Sequence, residues 1–196
     1  MAAIQNTAFE VKVSNHEFDS TANITGIFQN AEGANEICAA GFLCVRDELA
    51  QNEGYPTGVL NGNTWIMNAA PSTTMVNEPI YACNTFNVNQ IADGNGNAWK
   101  VGAQTLGLAA PAGEPVTFTR IDFTGDRVYR FGIGNANAAI GSNKYFTIAD
   151  GMLVPAAAAP ATNGAVYFEL LGTGNFTEGA WSAFGYIDVQ PKYVVA

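Results

Sequence analysis

Apolar and polar residues alternate with a period of two along much of this 196-residue chain, and that pattern constrains the fold more than any other feature. Phe9-Glu10-Val11-Lys12-Val13, Val116-Thr117-Phe118-Thr119-Arg120-Ile121 and Val128-Tyr129-Arg130-Phe131-Gly132-Ile133 each send every second side chain to one face, as a half-buried strand does. Further strands are predicted over residues 24–28, 42–45, 65–68, 79–91, 99–106, 145–148, 165–171 and 184–189. Between them stand Asn61-Gly62-Asn63, Asp93-Gly94-Asn95-Gly96-Asn97 and Thr124-Gly125-Asp126, residues that tolerate the positive φ of tight turns. The expectation is an all-β fold, an antiparallel sandwich or barrel with Gly/Asn-rich turns. At most one or two short helices fit, the best window being residues 32–40, interrupted by Gly33.

Residues 1–20 read as an N-terminal arm: one alternating strand, then the polar run Ser14-Asn15-His16-Glu17-Phe18-Asp19-Ser20. Residues 21–196 read as a single β domain. Ile4, Phe9, Val11 and Val13 are the candidate partner-binding residues of the arm, an apolar face expected to become buried only when the strand adds to a partner's sheet edge. The proline-bracketed, alanine-rich stretch at residues 155–164 is expected to be a surface loop or linker, with a C-terminal hairpin pair beyond it.

Charge narrows the function classes. Eight Lys and Arg stand against 17 Asp and Glu, for a net charge of -9, and charged residues make up 13% of the chain where about 25% is usual. The surface must therefore be mostly neutral amides, hydroxyls, Gly and Ala, which suits a subunit packed against others better than a free monomer. An acidic chain with scattered cations is a poor nucleic-acid binder. The one local group, Arg120, Arg127 and Arg130, is interleaved with Asp122 and Asp126 and reads as a strand face. No apolar run approaches the eighteen residues of a membrane helix, and the N-terminus lacks the pattern of a secretion signal. Cys38, Cys44 and Cys83 are odd in number and lack CxxC spacing, so they are expected to be reduced, buried thiols.

Motifs with chemical meaning are incomplete. Asp93 to Asn97 begins a calcium loop, but Ala98 holds the sixth position and Gln104 the twelfth, so a hairpin turn is the expectation. His16 with Glu17 and Asp19 has no nucleophile elbow to serve; Gly141-Ser142-Asn143 lacks its frame. Asp122 with Asp126 and Asp47 with Glu48 read as solvated strand ends, and Gly132-Ile133-Gly134 lacks the third glycine of a dinucleotide fingerprint. No catalytic, cofactor or metal residue is assigned, and no enzyme is expected. Trp65, Trp99 and Trp181, with seven tyrosines and many asparagines, serve either as core or as sugar-stacking platforms. Asn23-Ile24-Thr25 and Asn175-Phe176-Thr177 match the glycosylation pattern at the rate chance gives in an Asn-rich chain.

Three stretches carry a family resemblance: Leu106-Gly107-Leu108-Ala109-Ala110-Pro111-Ala112-Gly113-Glu114-Pro115-Val116-Thr117-Phe118, Gly125-Asp126-Arg127-Val128-Tyr129-Arg130-Phe131, and Tyr145-Phe146-Thr147-Ile148-Ala149-Asp150-Gly151-Met152-Leu153-Val154. Together they resemble the tailed-phage capsid decoration proteins, the head-stabilising or cement proteins, and related small β-rich virion proteins. Gly41-Phe42-Leu43-Cys44-Val45-Arg46 looks like an earlier copy of the last element. The resemblance implies a structural virion protein, often trimeric, on the capsid exterior and assembled in the bacterial host cytoplasm. Its implied partners are the major capsid protein and itself, without cofactor, nucleic acid or membrane. The alternative is a carbohydrate-binding or fibre-type β-sandwich module, which would expose an aromatic row beside Asn and Asp.

Overall fold

The computed structural model describes residues 7, 9–12, 23–47, 64–72, 76–84, 90–92, 98–100, 109–110, 112–175 and 185–195. The fold is all-β, as the alternation predicts; the helical content among the described residues is a single 3-10 turn, Ile133–Asn135. Two layers form it. The first is a six-stranded antiparallel sheet in the order β1 (Phe9–Lys12), β11 (Val128–Gly132), β15 (Gly185–Tyr193), β14 (Val166–Asn175), β12 (Tyr145–Ala149), β13 (Met152–Ala156). The second is a closed five-stranded barrel of β10 (Val116–Arg120), β2 (Asn23–Phe28), β5 (Thr64–Ala69), β4 (Leu43–Arg46) and β6 (Ile80–Asn84). Two short pairs complete the described strands: β3 (Cys38–Ala39) with β9 (Ala109–Ala110), and β7 (Gln90–Ala92) with β8 (Ala98–Lys100).

Alternation decides what each face of the first sheet does. Phe9, Tyr129, Phe131, Phe146, Ile148, Leu153, Val166, Phe168, Ile187 and Val189 point inward and meet Leu43, Ala70, Ile80, Ala82 and Ile121 of the barrel side in one core. Each such side chain contributes roughly 1.5 to 3 kcal/mol on burial, so this seam holds the layers together. The barrel has its own interior, made of Phe28, Cys38, Cys44, Met67, Tyr81, Cys83 and Phe118. The β12–β13 hairpin clamps the two layers. Its two-residue Asp150-Gly151 turn has positive φ at both positions, as a turn matching the strand twist requires. The Gly151 N–H donates to the Ala70 carbonyl (3.0 Å) and the Gly151 carbonyl accepts from the Leu43 N–H (2.8 Å). A Cβ at this position would overlap the Phe42 ring, so only glycine lets the turn seat. Asn135, buried after β11, adds a second clamp by donating from Nδ2 to the Ala40 carbonyl at 2.7 Å.

Several expectations need correction. Residues 32–40 form no helix: the Asn30 side-chain carbonyl accepts from the Glu32 and Ala34 N–H groups, closing a turn, and the chain then enters β3. The run 79–91 breaks into β6 and β7. β2 and β5 pair in parallel, an exception to the antiparallel scheme made possible by the intervening β3 and β4. Residues 155 and 156 belong to β13, so the alanine-rich loop begins at Ala157, and the β14–β15 hairpin beyond it lies inside the first sheet. Finally, β1 pairs with β11 of its own chain, Phe9 opposite Phe131, and Phe9 is only 3% exposed. Phe9 and Val11 therefore fill their own core instead of waiting for a partner. Ile4 and Val13 lie outside the described residues.

Candidate functional site

The outward face of the six-stranded sheet concentrates the side chains suited to recognition. Because Tyr129 and Phe131 face in, Arg130 faces out; because Ile187, Val189 and Pro191 face in, Tyr186, Asp188, Gln190 and Lys192 face out. The same logic places Tyr167 and Glu169 of β14, Tyr145 and Thr147 of β12, and Met152 and Val154 of β13 on that face. Register then makes neighbours of residues far apart in sequence. Glu10, Arg130 and Asp188 form one row across three strands.

The charges named on this face are paired within the chain. Arg130 donates to both Asp188 oxygens, from Nε at 2.7 Å and Nη2 at 2.9 Å, and Glu10 lies 3.7 Å from Nη1. The same guanidinium sits 3.6 Å over the Tyr186 ring, and the Asp188 hydrogen bonds raise its already high pKa. Lys192 pairs with Glu169, and that hydrogen bond raises the lysine's pKa. Beside this pair the Tyr145 and Tyr167 rings meet edge to face at 6.0 Å. The arrangement is a firm platform of three tyrosines, Val154, Met152 and two closed ion pairs.

The other candidate chemistry is structural. Asp122 caps its turn: Oδ1 accepts from the Thr124 N–H (2.9 Å), the Thr124 hydroxyl (2.8 Å) and the Gly125 N–H (3.2 Å). Partial burial opposes its charge, yet these hydrogen bonds and the nearby Arg127 outweigh that and hold its pKa below the ordinary carboxylate value. Asp126 accepts from Gln190, and Asp47 accepts from Asn68. A cavity of about 280 Å³ at the seam is lined by Glu78, Arg120, Asp122, Phe123, Thr124 and Arg127 among others, with no thiol or histidine among the described residues that line it. Cys38, Cys44 and Cys83 are free and buried in the barrel. Burial raises the Cys38 and Cys44 thiols, and the contact with Cys38 followed by burial raises Cys83. Among the described residues no cluster of three or more His, Cys, Asp and Glu is placed to hold a metal, and no helix is long and apolar enough to cross a membrane.

Of the tryptophans, Trp65 packs against the barrel core with Arg46 stacked 3.9 Å above it; the Trp99 side chain and Trp181 lie outside the description. His16, Glu17 and the Asp93–Asn97 turn also lie outside the described residues. Asn23 is a strand residue whose Oδ1 accepts from the Thr119 hydroxyl at 2.8 Å. The tyrosine platform is absent from the sequence-based site residues, although its signal was present as the outward members of four alternating segments. No family model, curated protein or solved structure matches this chain.

Proposed function

We propose that this chain is a non-catalytic structural protein of a bacteriophage virion, decorating and stabilising the outer surface of the capsid through contacts with the major capsid protein and with copies of itself. The observation that carries the contact role is the outward face of the six-stranded sheet. Tyr, Met and Arg are the residue types enriched in protein interfaces, and charges already paired cost less to strip of water than unpaired ones. The capsid assignment adds the sequence resemblance, the net charge of -9, which suits a position away from packaged DNA, and the sparse charge, which suits permanent packing.

The test uses particles of the phage that encodes this chain, prepared with its gene deleted. Purified full-length protein is expected to co-sediment with them, and the double substitution Tyr145→Ala with Tyr167→Ala to weaken binding at least roughly thirtyfold, as loss of an aromatic hot spot does. Failure of the unaltered protein to bind overturns the proposal. The edge-to-face tyrosines beside Lys192 and Glu169 also favour a second reading, a carbohydrate-binding module. Its signature is glycan-array binding that the same double substitution abolishes.

A further inference from the structure

Most edges of the described strands are protected. The barrel is closed and has none. At β13, Pro155 supplies no N–H, and the Leu153 carbonyl is taken by the Asn137 N–H at 2.9 Å. β1 is four residues long and carries Glu10 and Lys12, and the remaining two pairs are only two or three residues long. β14 is different. Its last partner on the β12 side is Tyr145, opposite Glu169, followed by one hydrogen bond from the Leu170 N–H to the Lys144 carbonyl. Residues 171–175 then continue with β15 as their only strand neighbour among the described residues. Leu171 is 52% exposed there, and Thr173 and Asn175 are exposed too.

We infer that this edge is a homodimer interface, in which β14 of one chain pairs antiparallel with β14 of a second copy about a two-fold axis at Thr173. The segment Leu171-Gly172-Thr173-Gly174-Asn175 complements itself in that register. Thr173 faces its own counterpart, a favourable cross-strand pair; each Gly172 faces a Gly174, so no side chains collide; each Leu171 is covered beside an Asn175. The Tyr186 ring already lies against Gly174 and supplies packing that the glycine lacks. Charge permits a second copy at this place. Two chains of net charge -9 repel, yet the segment is uncharged and, among the described residues, the acids beside it, Glu169 and Asp188, are paired with Lys192 and Arg130. The contact is isologous and closes at two chains, joining two six-stranded sheets edge to edge. It goes beyond the proposed function, because it requires no capsid.

Sedimentation velocity of the full chain across the micromolar range tests it. The unaltered protein is expected at twice the chain mass. Thr173→Lys and Thr173→Glu, each placing like charges opposite one another, are each expected to weaken the dimer roughly tenfold or more, and an equimolar mixture to restore it. Restoration on mixing also excludes misfolding as the cause of dissociation. A single-chain mass for the unaltered protein at every concentration overturns the inference. So does an assembly whose mass neither substitution alters, or dissociated variants that do not re-associate when mixed.

Discussion

At the scale of single residues, polar groups in this protein are spent on holding turns and strands in place. Asp122 accepts three hydrogen bonds within its own turn, and its pKa is lowered in the folded chain. A carboxylate with a depressed folded pKa contributes stability that is present above its unfolded value of about 3.9 and lost as pH falls through the folded value. Asp122→Ala is therefore expected to lower stability by about 1 kcal/mol at pH 7, with the difference shrinking below about pH 4. Urea denaturation at several pH values checks this; an undiminished difference at the lowest pH where the protein folds would show that the loss is not electrostatic. The thiols give a second residue-level prediction. Cys38, Cys44 and Cys83 are fully packed in the barrel with raised pKa values, so an aromatic disulfide reagent at pH 8 is expected to label none of them in the folded protein and all three in denaturant. Rapid native labelling would contradict the barrel core.

Elements were legible in the sequence where one face is buried and the other exposed, and illegible where neighbours decide. The alternation in β1 and β11 matches their observed faces because each residue's environment changes with period two, whereas in β10 the barrel buries both Phe118 and its neighbour Thr119. Proline misleads. Residues 184–189 read as a strand stopping short of Pro191, yet β15 runs to Tyr193, since β11 has ended by then and no ladder bond on that side needs the missing N–H. The proline bracket likewise read as a loop from residue 155, yet β13 runs to Ala156 because Pro155 sits on an edge strand. The tyrosine platform was legible as outward positions, but the pairing of Arg130 with Asp188 requires the register between strands 58 residues apart, which no local pattern contains. β1 shows a related limit: an alternating strand looks the same whether it completes its own sheet or a partner's. Phe9→Ala is expected to cost about 3 to 5 kcal/mol in denaturant unfolding, as large core truncations do. A change under 1 kcal/mol would return β1 to the role of a free arm.

At the scale of the whole molecule, a closed barrel and an open sheet divide the work. The barrel removes its own edges and buries the thiols, while the open sheet turns an apolar face to the shared core and a tyrosine-bearing face outward. The hairpin tip at Gly151 and the Asn135 bond fix the layers to each other, so the outward face is presented by a rigid support. Such a face suits recognition by surface complementarity rather than by an enclosed site. Cryo-electron microscopy of the virion that the proposed function assigns to this chain tests that account most directly. The predicted result is density for the chain on the outside of the shell, with Tyr145, Tyr167 and Tyr186 against the coat subunits; a shell without this chain, or one in which that face is turned to solvent while the barrel makes the contact, would contradict it.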